Sequence, residues 1–218
     1  MKIRTFVGVG ITALACALAL GLAPQSEKPA PQTESTKGHK FSVDDVHSSL
    51  IFGIKHMDLC NFYGRFNDLD GHFVLDMDNP EASSFDVKVK MNSVDTGNTG
   101  RDKHLKSPDF FNAAEFEHMS FKSTKVSKSA DNTLQVTGDL TLHGVTREVV
   151  LDVEGPTPYV KDMRGDTRAG LSATTKLKRK DFGIVWNKAM NGGGVVVGDD
   201  IDVAIEVEGV RRDGAAGG

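Results

Sequence analysis

Cysteine is almost missing from this chain. Two occur in 218 residues. Cys16 falls in a leading apolar run, which leaves Cys60 without a partner for an intrachain disulfide, so the fold must stand on its core alone. A basic excess is missing too. The formal net charge is −4 and the pI about 6.0, which removes the usual footprint of bulk nucleic-acid binding. Aromatic residues make up only 7%, with a single Trp, whereas Gly numbers 23; that balance fits a turn-rich β protein. Neither G-x-S-x-G nor H-E-x-x-H occurs, so two common hydrolase signatures are absent. There is no internal repeat and no sign of a second domain.

What is present begins with a leader. "MKIRTFVGVGITALACALALGLAP" places Lys2 and Arg4 before an apolar run from Phe6 to about Ala23. A short basic region followed by small apolar residues reads as an export signal, with periplasmic delivery as the expectation. Two other readings of residues 1–23 stay open: a lipoprotein box ending at Cys16, and an uncleaved membrane anchor. Residues 24–40, "PQSEKPAPQTESTKGHK", are Pro, Ser, Thr, Gln and charge, too polar to bury a core, and read as a flexible linker. Residues 210–218 read as a disordered tail, leaving 41–209 for a single folded domain.

Within that domain the apolar pattern has a period of two. "SFDVKVKMNSV" sets Phe85, Val87, Val89 and Met91 against Asp86, Lys88 and Lys90; "DIDVAIEVE" sets Ile201, Val203, Ile205 and Val207 against Asp202, Glu206 and Glu208. "HFVLDM" and "VVLDVE" behave alike, and further stretches run near 48–57, 118–127, 133–142 and 168–178. "NFYGRF" and "GHFVLDM" are either two short strands or one bent strand, with Asp70-Gly71 as a turn or bulge between them. If they are one strand, the total is eight. Eight antiparallel strands close into a small barrel that can hold one ligand; a two-sheet sandwich is the structural rival.

The break at "VDTGNTGRDKHLKSPDFFN" (94–112) crowds charge between strands. Asn98 or Thr99 can cap a two-turn helix near 98–106 that ends at Ser107-Pro108, with Asp102 and Lys106 spaced to pair. Arg101, Asp102 and His104 cannot all face one point on such a helix, so no catalytic residue is assigned. The scattered histidines His47, His56, His72, His118 and His143 lack clustered ligand spacing, and no metal is expected. "KRKDFGIVWNKAMNGGG" (178–194) is the second unusual loop and reads as an Ω-like plug for one barrel end, as a ligand contact, or as both, since an end plug also forms the cavity floor.

Six segments then occur in order: "DVHSSLIFGIKHM", "GRFNDLDGHFVLD", "VDTGNTGRDKHLKSPDFF", "FKSTKV", "VTGDLTLHGVTREVVLDV" and "RKDFGIVWN…GGGVVVGDDIDVAIEVE". Together they resemble the YceI-like family of exported, lipocalin-like polyisoprenoid-binding proteins, over about residues 40–209. Cys60 with Asn61, and the stretch 157–168, depart from the usual pattern. The resemblance implies an all-β, eight-stranded antiparallel lipocalin-like barrel with an elongated apolar cavity. It also implies a non-enzymatic role, binding, sequestering or transporting a long-chain isoprenoid or related amphiphilic lipid. No cofactor is then required, and an isoprenoid lipid or quinone is the expected ligand. A homodimer and membrane association through the N-terminus are both compatible with it, while nucleic acid is not an expected partner.

On that reading the lipid-binding candidates are Leu50, Phe52, Ile54, Phe66, Phe73, Phe85, Val87, Val89, Phe110, Phe111, Phe121, Leu140, Leu151, Leu171, Phe182, Trp186 and Val203. Candidates for a head-group rim are His47, His56, Arg101, His104 and Arg179. Small residues on strands (Gly53, Gly64, Gly138, Ala169, Ala173) are expected to leave the barrel hollow. Two other functions stay open: a quinone- or haem-binding redox accessory protein of the cell envelope, and a hydrolase of lipid-linked substrates.

Overall fold

The computed structural model describes residues 38–130 and 132–212; the leader, nearly all of the linker and the last six residues lie outside the described residues. Among the described residues, twelve strands and one short α-helix, α1 (Thr99–Leu105), build a closed antiparallel barrel. Several strands are halves of one longer, bent strand. β1 (His39–Val43) and β2 (Ser49–His56) lie end to end along β12 (Val197–Arg211), β1 beside residues 209–211 and β2 beside 201–206 and Val197. β3 (Cys60–Phe66) and β4 (Leu69–Leu75) repeat this beside β2 and β1. β5 (Ser84–Lys90) and β6 (Val94–Asp95) do so once more. With β7 (His118–Ala130), β8 (Thr133–Leu142), β9 (Val145–Glu154), β11 (Thr167–Lys178) and β12, the barrel has eight staves. The two-residue β10 (Val160–Lys161) only edges β11.

The bends in neighbouring staves coincide. Between β3 and β4 the Asp68 carbonyl accepts from Lys90 N, and Asn67 N donates to Ser93 O, where β5 gives way to a 3₁₀ turn over Met91–Ser93. The bend therefore falls at Asn67-Asp68 rather than at Asp70-Gly71. Gly71 is instead inside β4, with φ of 136°, where a Cβ would stand 2.3 Å from the Asp86 carbonyl oxygen. Only glycine tolerates both conditions.

The period-two pattern then sorts the faces. Phe85 and Val89 of β5, Leu134, Val136, Leu140 and Leu142 of β8, and Val207 of β12 are buried inward. Outward positions carry cross-strand pairs that fix register between β11 and β12: Lys176–Asp202 at 2.8 Å and Lys178–Asp200 at 2.6 Å. Exposed pairs of this kind add little stability each, but opposite charges facing one another disfavour a slipped register. Closure is uneven. β11 pairs with β12 from Arg168↔Val210 to Lys178↔Asp200, whereas β9 and β11 meet only at 172–174 against 154–152. Just beyond, the Thr175 hydroxyl donates to Val150 O at 2.8 Å, a side-chain tie where ladder bonds stop.

Two boundaries differ from the sequence pattern. His39 and Lys40 belong to β1, not to the linker, and Val210 and Arg211 belong to β12, not to the tail. The "hollowing" glycines receive neighbours instead of leaving room. A Cβ at Gly64 would lie 2.4 Å from the Phe52 ring, one at Gly138 2.5 Å from the Phe121 ring, and one at Gly53 2.8 Å from the Tyr63 ring.

Candidate functional site

Inside the barrel is a cavity of about 460 Å³. Its walls come from the inward positions of nearly every stave: Leu50, Phe52 and Ile54 of β2; Phe66 of β3; Phe85, Val87 and Val89 of β5; Phe121 of β7; Leu140 of β8; Leu151 of β9; Leu171 of β11; and Val203 of β12. One end is closed by packed side chains. There Phe41, Phe73 and Leu75 have no solvent exposure, and Phe41 and Phe73 stack with centroids 5.3 Å apart.

The other end is covered by α1, the β2–β3 turn and the loop after β11. The Asn98 side chain caps α1, accepting from Arg101 N at 3.0 Å, and satisfies a donor that the helix start leaves free. Asp102 accepts from both the backbone N–H and the hydroxyl of Thr96, so it anchors the helix to the preceding strand rather than pairing with Lys106. Arg101 donates to the Thr96 hydroxyl at 2.9 Å and to the Thr96 carbonyl at 2.8 Å, with its guanidinium 4.0 Å from the Phe62 ring centroid. His104 pairs with Asp109 at 2.8 Å and meets both Phe110 and Trp186 edge-on at 5.0 Å. Phe110 and Trp186 touch at 5.2 Å, and Phe111 leads inward to Phe66 at 5.5 Å. All of Arg101, His104, Phe110, Phe111 and Trp186 border the cavity.

Polar side chains on the lining gather at this end: Lys55, His56, Cys60 and Asn61 around the β2–β3 turn, Arg101 and His104 on α1, and Arg179 after β11. Deeper in, Thr175 is the polar exception, and its hydroxyl is already spent on Val150 O. The arrangement is an apolar tube with a polar collar. That is a binding geometry: an apolar chain inside avoids water, while the collar offers donors to a polar head.

Three of the candidates fall elsewhere. Phe73 belongs to the closed end and not to the lining, because its stack on Phe41 fills the barrel there. Phe182, 2% exposed, is packed in a 3₁₀ turn below the loop, where its carbonyl accepts from His143 Nδ1 at 3.2 Å. His47 is not at the collar. It sits on the outer kink between β1 and β2, its Nδ1 3.0 Å from Asp44.

Arg179 borders the cavity but is not a free rim cation. It is 2% exposed and donates to the carbonyls of Gly198, Ile184 and Trp186, each at 2.8 Å, and to Asp199 at 3.0 Å. It clasps the covering loop to the start of β12. Lys180, 2.6 Å from Asp199, and then Arg179 hold that carboxyl below its ordinary range.

The lipid-binding candidates omitted Phe62, Leu105, Met119, Ile184, Val196 and Val197 on the lining, and with them the deeper Val136, Val153 and Val207. Phe62 on β3 and Met119 on β7 sit at the right parity, two residues from Gly64 and Phe121. Ile184 and Val196, by contrast, lie in the loop after β11 and carry no periodicity that could have revealed them. Of the five scattered histidines, His47, His56, His72, His118 and His143, only His56 borders the cavity.

Asp44, His47 and Glu208 do bring ligand atoms within 4.8 Å of one another. Arg168 occupies that place, its Nη1 2.5 Å from both Asp44 and Glu208 and its Nε 2.7 Å from Asp162. The guanidinium holds the Asp44 carboxyl down to about 2, chiefly through its hydrogen bond, and lowers Asp162 in the same way.

The sequence profile of the YceI-like domain matches residues 41–209. Protein YceI of Escherichia coli is 39% identical over 178 residues, covering 80% of this chain and 87% of that protein. Among solved structures, the Campylobacter jejuni YCEI protein is 34% identical with a TM-score of 0.59, covering 73% of this chain and 90% of that one. A polyisoprenoid-binding domain from Saccharophagus degradans shares the fold at 16% identity, with a TM-score of 0.56 over 79% of this chain and 98% of that one. The chain belongs to the YceI-like family.

Proposed function

We propose that this protein binds a long-chain isoprenoid or related amphiphilic lipid, tail in the barrel and head group at the collar, and sequesters or carries it without chemical turnover. The observation that carries the reading is the cavity itself: about 460 Å³, apolar along its depth, with polar side chains gathered at one end. The polyisoprenoid-binding domain with the same fold supports the ligand class. At about 0.3 kcal/mol per heavy atom, a twenty-five-carbon tail reaches roughly −7.5 kcal/mol, the micromolar range, with no catalytic group involved. His104 and Arg101 at the collar are engaged by Asp109 and Thr96, an arrangement suited to holding a head group rather than to activating a nucleophile. A quinone belongs to the same ligand class. The basic-then-apolar start of the chain supports export, and a periplasmic carrier is the proposed setting.

Native mass spectrometry of protein purified from its own envelope, followed by solvent extraction, tests this. A stoichiometric polyprenyl phosphate, isoprenoid quinone or long-chain amide is the expected release. Empty protein that also takes up none of these when offered would overturn the reading.

A further inference from the structure

The cavity has a built stop, and the stop is made of particular residues. By strand register its deep lining comes from Phe85, Val136, Val153, Leu171, Ala173 and Val207. Immediately beyond lies Phe73, fully buried, stacked on Phe41 at 5.3 Å and facing Phe85 at 6.2 Å. The Phe73 ring lies flat because Gly209 has no side chain; a Cβ there would be 2.4 Å from the ring. Tyr159 backs the stack 5.3 Å from Phe41 and donates to Leu75 O, which anchors the plug from behind. None of the six deep lining residues carries a polar side chain.

We infer that this closed end measures the ligand: the Phe73–Phe41 stack sets how many isoprene units fit, and Ala173, one inward position before Leu171, sets the width of the approach to it. The inference rests on the proposed function above and adds two specificities. Chains are accepted up to a defined length, and the buried terminus must be apolar.

The length follows from strand geometry. The lining on β12 runs from Val197 to Val207. At about 3.4 Å per residue, and with the tilt of about 40° usual for an eight-stranded barrel, that is roughly 25 Å along the axis. An extended carbon chain advances about 1.25 Å per bond, from carbon–carbon bonds of about 1.5 Å, so an isoprene unit takes about 5 Å and about five units fit. Each unit brings five heavy atoms into the apolar tube, worth about tenfold in affinity, until the stop is reached. Further units then remain outside and add nothing. A terminal hydroxyl at the stop would be desolvated with no partner, a penalty of at least about tenfold.

The test uses delipidated protein and a series of prenyl alcohols of two to eight units, with binding read from the fluorescence of Trp186, the single tryptophan in the sequence, which borders the cavity. Affinity is expected to rise about tenfold per unit and level near five units. Ala173→Phe fills space between Val153 and Ile205, its register neighbours, and should move the break down by one to two units while sparing two-unit chains. Phe73→Ala should move it up. Since Phe73→Ala empties a core position and can unfold the barrel, Ala173→Phe decides the matter. An ω-hydroxylated five-unit alcohol should bind at least about tenfold more weakly than its parent.

If Ala173→Phe weakens every length equally, or affinity climbs through eight units without a break, the measuring end is wrong. If no prenyl alcohol of any length binds, the proposed function fails first.

Discussion

Replacing Arg179 by Met separates two roles that a basic residue beside a lipid cavity could have. The guanidinium is 2% exposed and holds three backbone carbonyls at 2.8 Å, those of Gly198, Ile184 and Trp186. Met matches much of its length but donates nothing. Hydrogen bonds to a charged donor are worth about 1.5–3 kcal/mol each, and a buried carbonyl left bare costs about 1–3 kcal/mol. Three carbonyls set a gross cost of about 3–9 kcal/mol, and partial water entry brings the expectation to about 3–5 kcal/mol. For a domain of this size that is a fall in Tm of roughly 6–20 °C. Thermal unfolding followed by circular dichroism measures it, with Arg101→Met as the comparison at the same end of the barrel. Arg101 is exposed, hydrogen-bonded locally to Thr96 and laid over the Phe62 ring, a contact that the Met side chain keeps in part, so its variant should melt within about 2 °C of the parent, in the usual range for surface substitutions. The clasp argument is refuted if Arg179→Met melts with the parent, and refuted more tellingly if it also binds anionic amphiphiles less well, because Arg179 would then be the head-group cation.

Val87→Arg places a charge on the lining of β5 and should lower tail-lipid affinity at least about a hundredfold while the far-ultraviolet spectrum stays β-rich; unchanged lipid uptake would remove this cavity as the binding site. Asp44 has a folded pKa of about 2 against the ordinary 3.8, so its contribution to stability is full above pH 4 and lost as pH falls toward 2. Urea unfolding from pH 5 to pH 2 should therefore show the parent and Arg168→Met converging as the solution is acidified. Gly209→Ala drives a methyl to within 2.4 Å of the Phe73 ring and should cost about 1–3 kcal/mol of unfolding free energy; a neutral result would mean that the aromatic plug is loosely packed.

The barrel was legible in the sequence because alternation survives in long strands. β5, β8 and β12 show one apolar face each, and that face is the one turned inward. The helix was legible because Asn98 and Ser107-Pro108 mark both of its ends. β1 was not, since "HKFSV" is short and follows a polar linker with no break in composition. Phe73 and Phe85 share the same parity pattern, yet one plugs the barrel and the other lines it; period two reports the face of a strand, not depth along the axis. Arg179 looked like any cation in "KRK". The distinguishing signal was its parity, because Leu171, Ala173, Thr175 and Leu177 point inward and Arg179 continues the series. A cation on an inward position must find acceptors, and here it finds carbonyls. The glycines misled for a related reason: absence of a side chain makes space, but a neighbouring ring takes it.

The barrel wall is a hoop, and a hoop parts where it is least fastened. β9 and β11 share register only at 152–154 and 172–174, with the Thr175 hydroxyl as an extra stitch to Val150 O. The other seams are held by more register pairs than this one, most of all β11–β12, so hydrogen exchange should run fastest beside this seam and slowest between β11 and β12. Grip and breathing are therefore written in different residues. The apolar lining governs how strongly a tail is held, while three register pairs and one threonine govern how often the wall yields.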